Sequence, residues 1–486
     1  MIVRNEERFL AAALASVQGV VDEICIVDTG STDGTLAIAA SYGARIAHVD
    51  WCDDFAFARN AALALATCPW IFVLDADERL APSSCDAVRA VAATPPDGVG
   101  RWIWCRNLHD AEREISASTN AIVRIFPNDP SIRFRGRLHE FVARIDEPTS
   151  LAATRTDIEI LHYGYQAAVM IEREKGARNL RLSAAALAAD PDDPALVYNY
   201  AMSAMLANEP AIAQAELERV IRLTDGTPRG FRPQALNVLA GIYLEAGRPA
   251  DALDAADRCI AIVPTLPDGH FVRGRALAAL GRRHDARDAF GAAIAAGQRG
   301  GDHFVVEDEI AMWKAHNELA GTLVAEQRFA EARQWLDLAL RNRPAERTLI
   351  LNRARCCEGM GDLAEALAGF RAAFAGFRDE AAAIDYVNFV FRHGSPDVCA
   401  AAVDEVLPVA SEQYRCVFLA SAAAVMLRAG RRADAQRLLG RVLAVRDDRI
   451  AAETIVRALA EHYRTPELRE LLAGAERVGT APGGPV

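Results

Sequence analysis

A chain of 486 residues is too long for one hydrophobic core, and 51% apolar with 25% charged residues is ordinary for a folded protein of two or more domains. With 66 acidic against 54 basic residues, a net charge of -12 and no lysine or arginine run, the chain is unsuited to nonspecific nucleic-acid binding or to anionic lipid surfaces. Its ten cysteines include no C-x-x-C pair, which predicts reduced, mostly buried thiols in a cytoplasmic protein rather than a disulfide framework or a zinc site.

The opening Met1 to Glu7 lacks the apolar core of a signal peptide. The longest apolar run, Cys416 to Leu427, is too short to span a bilayer, so no transmembrane segment is expected. Strand and helix patterns alternate to about residue 100, which predicts βαβ units on a mostly parallel sheet. Ile2-Val3 reads as a strand stub, Glu6 to Val17 as an amphipathic helix, and Glu23 to Asp28 as a buried strand ending in an aspartate. Thr29 to Thr35 then turns into a helix reaching Tyr42, with Ser31, Thr32 or Asp33 as its cap.

A third strand covers Arg45 to Val49, and another helix starts within Trp51 to Asn60. The fourth strand, Trp70 to Leu74, delivers Asp75, Asp77 and Glu78 to the carboxyl end of a buried strand, where open α/β sheets hold ligands. Clustered carboxylates repel one another unless a cation or ligand hydroxyls share the charge, and hard divalent ions take such oxygens. The alternative is a solvated turn opening the helix after Pro82. Asp190-Pro191-Asp192 has the same spacing and reads as a turn.

After Pro95 to Gly98 the pattern becomes strand-rich: Gly100 to Arg106, Ala121 to Phe126, Gly136 to Ile145 around Leu138-His139-Glu140, and Ile158 to Leu161. His162-Tyr163-Gly164-Tyr165 closes this half, and helices follow. Ala252 and Ala286 stand 34 residues apart, as do Ala332 and Ala366, each with glycines and aromatic or aliphatic partners at repeating offsets. Small residues where paired helices cross are what stacked hairpins need, and the period resembles tetratricopeptide repeats over 195 to 450, with insertions near 225–233 and 298–312. The expected domains are an α/β domain at 1–165, a helical linker at 166–194, a repeat domain at 195–475 and a flexible tail at 476–486.

Six stretches of the first half, taken together, resemble family 2 glycosyltransferases of the GT-A fold, most of all bacterial members with a tetratricopeptide tail. They are Asn5-Glu6-Glu7, Val27 to Thr35, Asp53-Asp54-Phe55 with Arg59-Asn60, Leu74 to Glu78, Arg124-Ile125-Phe126 and Leu138-His139-Glu140. The resemblance implies an α/β plus all-α chain: a Rossmann-like GT-A domain followed by a helical repeat solenoid. It also implies a nucleotide-sugar donor, with UDP as the nucleotide, bound near Asn5, Glu7, Asp28, Ser31, Asp33, Arg59 and Asp75.

In that reading Asp28 accepts from the base or ribose, the alternative being a helix cap. Asp75 and Asp77, with His139 as third ligand, hold Mg²⁺ or Mn²⁺ on the diphosphate. Arg59 touches base or phosphates, the alternative being an ion pair with Asp53 or Asp54. His139 and Glu140, adjacent on a strand, point to opposite faces. Glu140 is then the general base of an inverting transfer, the alternative being a structural pair; Asp110, Glu112 and Glu114 are fallback bases.

His162 reads as a satisfied histidine at a domain boundary. Relatives carry more apolar residues before Ile2, so a short first strand and a weakened nucleotide pocket are expected. The implied function is metal-dependent sugar transfer to a protein, peptide or glycan acceptor, the repeats binding acceptor or a protein partner. The rival is a non-catalytic repeat scaffold with a degenerate transferase domain.

Overall fold

The structure, a computed structural model, describes residues 1–110, 115–147, 149–164, 169–226, 230–297, 307–445 and 449–473. Glu112, Glu114, Tyr165, the tail from 476 and the side chain of Asp110 lie outside the described residues. The chain divides into two compact units, Met1–Ala315 and His316–Val486.

The first unit opens with alternating strands and helices: β1 (Ile2–Val3), α1 (Leu10–Val17), β2 (Cys25–Asp28), α2 (Thr35–Ser41), β3 (Arg45–His48), α3 (Phe55–Leu63) and β4 (Trp70–Phe72). Next come β5 (Glu78–Leu80), α4 (Cys85–Ala92), β6 (Gly100–Asp110), β7 (Ile115–Pro127), β8 (Ile132–Arg135), β9 (Phe141–Arg144) and β10 (Ala153–His162). Among the described residues these strands form three sheets, β1-β2-β3, β4-β7-β6-β10-β5 and the β8-β9 hairpin. The first sheet is parallel, joined by α1 and α2 as βαβ units require; in the second only β6 and β10 run parallel.

Helix α1 turns Leu10, Ala13, Leu14 and Val17 inward at helical spacing. Beneath the second sheet Ile103, Ile158 and Ile160 are fully buried beside Ile125 and Leu74. The strand read over Trp70 to Leu74 stops at Phe72, and Glu78 falls in β5, a strand missing from the sequence reading. Because β5 pairs antiparallel with β10, with His162 opposite Glu78, the end of β10 arrives beside Asp77.

The strand expected over Gly136 to Ile145 is broken. Gly136 (φ 95°) and His139 (φ 56°) adopt left-handed backbone and turn the chain, and β9 begins only at Phe141. Strand alternation therefore does not apply to His139 and Glu140, which lie in the β8–β9 turn.

Helix α5 (Val169–Ala189) occupies the expected linker, and antiparallel hairpins run from α6 (Pro194–Leu206) to α11 (Arg283–Gly297) in the first unit. In the second unit the helices extend from α12 (Ala315–Ala325) to α21 (Glu467–Ala473). Ala252, Ala286, Ala332 and Ala366 are all fully buried at helix crossings. Gly274 allows close packing, since a Cβ there would stand 2.5 Å from the Phe290 ring. Among the described residues, no helix is long and apolar enough to cross a membrane.

Candidate active site

The turn after β2 is built around Asp28, which is 3% exposed. Its carboxylate accepts from the Gly30 and Ser31 amides at 3.1 Å and lies 3.2 Å from His48 Nδ1. Burial pushes the Asp28 pKa up, but the Ser31, Gly30 and His48 hydrogen bonds outweigh it and hold it below the ordinary carboxylate value.

Asn5, Glu7, Ser31 and Asp33 are brought together as a clasp between two turns. Asn5 Oδ1 accepts from Thr32 N at 2.7 Å, and Ser31 Oγ accepts from Asn5 N at 3.0 Å. Glu7 Oε2 accepts from Gly34 N at 3.0 Å, while Asp33 accepts from Glu7 N at 3.2 Å. Asn5 does this with φ 55°, a left-handed conformation that asparagine tolerates better than most residues. Much of their polar capacity is thus spent on shaping the loop that presents Asp28.

At the end of β4 the carboxylates meet two arginines. Arg59 donates Nη1 and Nη2 to the two oxygens of Asp75, at 2.8 and 3.1 Å, and its Nε donates to Glu140 Oε1 at 2.5 Å. Arg124, from β7, donates to Asp75 at 2.9 Å and to Glu78 at 2.7 Å. Glu78 Oε2 in turn accepts from Asp75 N at 2.8 Å.

Burial raises the Asp75 pKa, yet Arg124 and Arg59 dominate and leave it far below the usual range; for Glu78 burial prevails and the pKa is raised. These partners replace the expected ion pair of Arg59 with Asp53 or Asp54. Asp53 instead pairs with Arg181 of α5 at 3.0 Å, and Asp54 caps α3 by accepting from Phe57 N at 2.9 Å.

Asp77 stands apart from that network. Its Oδ2 lies 3.2 Å from His162 Nε2, and His162 Nδ1 lies 2.7 Å from Asn107 Oδ1. Burial lowers the His162 pKa, but the neighbouring Asp77 raises it more and leaves it above the ordinary histidine value.

This arrangement bears on a metal. Both Asp75 oxygens carry guanidinium hydrogen bonds, and His139 sits exposed in the β8–β9 turn, so the set Asp75, Asp77 and His139 does not form a ligand cluster. Among the described residues no three His, Cys, Asp or Glu side chains converge as one. Asp77 and His162, an oxygen and an imidazole nitrogen side by side, are donors of a kind that fits a divalent ion.

Three side chains at the site were given no such place by the sequence. Arg124 stands in the quoted Arg124-Ile125-Phe126 stretch, and its charge inside a strand between apolar neighbours was the available signal. Glu78 belongs to the acidic cluster, but only β5 shows that it is buried. His162 gave no local signal, because its role depends on the β5–β10 pairing.

Residues 1–156 match the family Glycosyl transferase family 2, and residues 201–267 and 271–347 match Tetratricopeptide repeat. About the first third of the chain thus matches family 2 glycosyltransferases, and a tetratricopeptide-repeat array follows it. A TPR repeat-containing protein of Synechococcus elongatus is 37% identical over 200 residues, 40% of this chain and 48% of its own length.

The SPbeta prophage-derived glycosyltransferase SunS of Bacillus subtilis is 24% identical over 196 residues, 40% of this chain and 46% of its own. A solved tetratricopeptide repeat protein from Parabacteroides merdae overlays 54% of this chain and 97% of its own, at 12% identity and a TM-score of 0.38. The chain spans about half the length of the curated relatives it matches.

Proposed function

We propose that this protein transfers a sugar, with inversion, from a nucleotide-diphosphate donor to a protein, peptide or glycan acceptor, and that its repeats hold the acceptor or a partner protein. UDP is the proposed nucleotide. The observation that carries this reading is the convergence, around the end of β4, of Asp75, Asp77, Arg59, Arg124, Glu140 and His162 from five separate stretches of sequence.

In this reading the Asp28 turn receives the base or ribose, and the Arg59–Asp75–Arg124 network holds the site rigid before substrate arrives. Glu140 is anchored through Oε1 by Arg59, which leaves Oε2 to take the acceptor's proton. The acceptor oxygen bonds to the anomeric carbon while the bond from that carbon to the diphosphate oxygen breaks, and its electron pair leaves with the nucleotide. Asp77 and His162 would hold Mg²⁺ or Mn²⁺, which when bound neutralises charge on the leaving diphosphate.

The test is calorimetric titration of UDP in the presence of Mn²⁺, then with EDTA, then on Asp77→Ala. Metal-dependent binding lost in the variant supports the donor site. A folded chain that binds no UDP under any of these conditions sinks the UDP-donor reading.

A further inference from the structure

The repeats touch the α/β half through a short acidic segment, Glu307-Asp308-Glu309, which leads into a helical turn over Ile310–Lys314. Both ends of the segment are held on the repeat side. Glu307 N donates at 3.3 Å to Oδ1 of Asp268, at the start of α10 (Pro267–Ala279). Lys314 Nζ pairs with Glu307 and, at 3.1 Å, with the buried Glu309. Asp308, between them, reaches β7 instead: its Oδ2 accepts from Thr119 Oγ1 at 2.6 Å. A hydroxyl on a carboxylate at that distance is a strong, charge-assisted contact, and it is partly buried.

Thr119 belongs to the ladder that supports the Asp77–His162 pair. Successive side chains of a strand point to opposite faces, so Ser118 and Asn120 project away from Asp308. They share their face with Asn107 of β6 and His162 of β10, which stand opposite one another in the sheet. Asn107 Nδ2 donates to Ser118 Oγ at 2.9 Å and to Asn120 Oδ1 at 3.3 Å. That turns its carbonyl Oδ1 to His162 Nδ1, 2.7 Å away, and an oxygen there can only accept. The ring proton is therefore on Nδ1, and a neutral His162 points the Nε2 lone pair at Asp77 Oδ2.

Beyond the Asn107–Ser118 pair the ladder passes to Leu108 with Ser116, so β7 bulges beside this amide network. A bulge gives up ladder hydrogen bonds, and Asp308 supplies a fixed point from the opposite face.

We propose that Asp308 is a positioning residue: from the repeat side it braces Thr119, and so keeps Ser118, Asn120 and Asn107 in the arrangement that turns His162 Nε2 toward Asp77. What Asp77 and His162 then do together rests on the transferase reading above; the bracing does not. The repeats thereby shape the site without lending it a side chain.

Histidine-selective ¹⁵N NMR of the full chain at about pH 9, where the rings are neutral, reads the tautomer directly, with the His162 signals assigned by their loss in His162→Gln. The parent ring carries its proton on Nδ1. Thr119→Val, which removes the hydroxyl and keeps the shape, and Asp308→Ala each raise the Nε2-protonated form about threefold, and the double variant goes no further than either single one. Asp308→Asn keeps an oxygen for Thr119 and stays like the parent. The first two variants cut one bond from opposite sides, so either serves where the other fails to fold.

A ring that keeps its Nδ1 proton in the folded variants overturns the proposal, as do additive effects in the double variant or a parent ring protonated on Nε2. Calorimetry of UDP with Mn²⁺ on the same chains separates this from the donor reading. A tautomer change in chains that bind no UDP sustains the brace and removes the UDP-donor reading, whereas binding weakened in Asp308→Ala and restored in Asp308→Asn ties the two together.

Discussion

Arg59 grips Asp75 through both carboxylate oxygens, at 2.8 and 3.1 Å, and ties the same guanidinium to Glu140 in the β8–β9 turn. One side chain from α3 thereby fixes the end of β4 and a turn 65 residues further along the sequence. Two-point guanidinium pairing sets orientation as well as charge, and lysine cannot reproduce it. Asp75 is consequently a framework carboxylate here, and Asp77 is the acid of the pair left near a histidine.

The partner arginine gives the first prediction. Arg124 is mostly buried and serves both Asp75 and Glu78, so Arg124→Met leaves the buried Glu78 without its arginine and Asp75 with Arg59 alone. Loss of about 3–5 kcal/mol in urea unfolding is expected, because breaking a buried pair strands the other charge. Adding Glu78→Gln should recover part of it. Equal destabilisation in the single and double variants would show that the side chain's packing, and not its charge, carries the effect.

Gly164 separates the metal-site reading from general stability. A Cβ on Gly164 would collide with Asp77 Oδ2 and stand 2.7 Å from His162 Nε2. Gly164→Ala should therefore push the two groups apart and weaken Mn²⁺-dependent UDP binding at least tenfold. Calorimetry with and without EDTA reads this, and an unchanged metal-dependent affinity in a folded variant would remove Asp77 and His162 as the ligand pair.

The clasp at Asn5 makes a different forecast. Asn5→Ala loses the acceptor for Thr32 N and places alanine at φ 55°, so stability should fall by about 1–2 kcal/mol. Asn5→Gly restores the backbone and should recover part of that loss. Denaturant midpoints decide the matter: unchanged stability together with lost UDP affinity would make Asn5 a direct ligand contact rather than a shaper of the loop.

What the sequence made legible follows from the range of the interactions involved. Local patterns carried the βαβ start, the Asp28 turn and the repeat period, because each depends on neighbours within a helix or a turn. The partners of Arg59 were not legible: Asp53 and Asp54 are close in sequence, but Asp75 and Glu140 are close only after β4, β7 and the hairpin are assembled. His162 reads from sequence as a satisfied histidine and is one, but that Asp77 is its partner depends on the antiparallel β5–β10 pairing. The β8–β9 turn escaped because His139 carries a positive φ that its residue type does not announce.

The last prediction concerns the repeats. Asp268, at the start of α10 (Pro267–Ala279), is 9% exposed; its Oδ1 accepts from Glu307 N at 3.3 Å and its Oδ2 has no partner among the described residues. Burial, with the nearby Glu307 and Asp308 adding to it against the hydrogen bond from Glu307 N, raises its pKa from 3.8 to about 7. A carboxyl that binds its proton more tightly when folded is most favourable at low pH. Its contribution is fully present below about pH 4, falls as the unfolded chain ionises, and is lost once pH passes about 7. Asp268→Asn removes that dependence and keeps an acceptor for Glu307 N. The variant should thus be more stable than the parent by about 2–4 kcal/mol at pH 8, with the gap closing toward pH 4. Urea unfolding of both chains across that range checks it, and a difference that stays constant with pH would mean that Asp268 is already ionised in the folded protein.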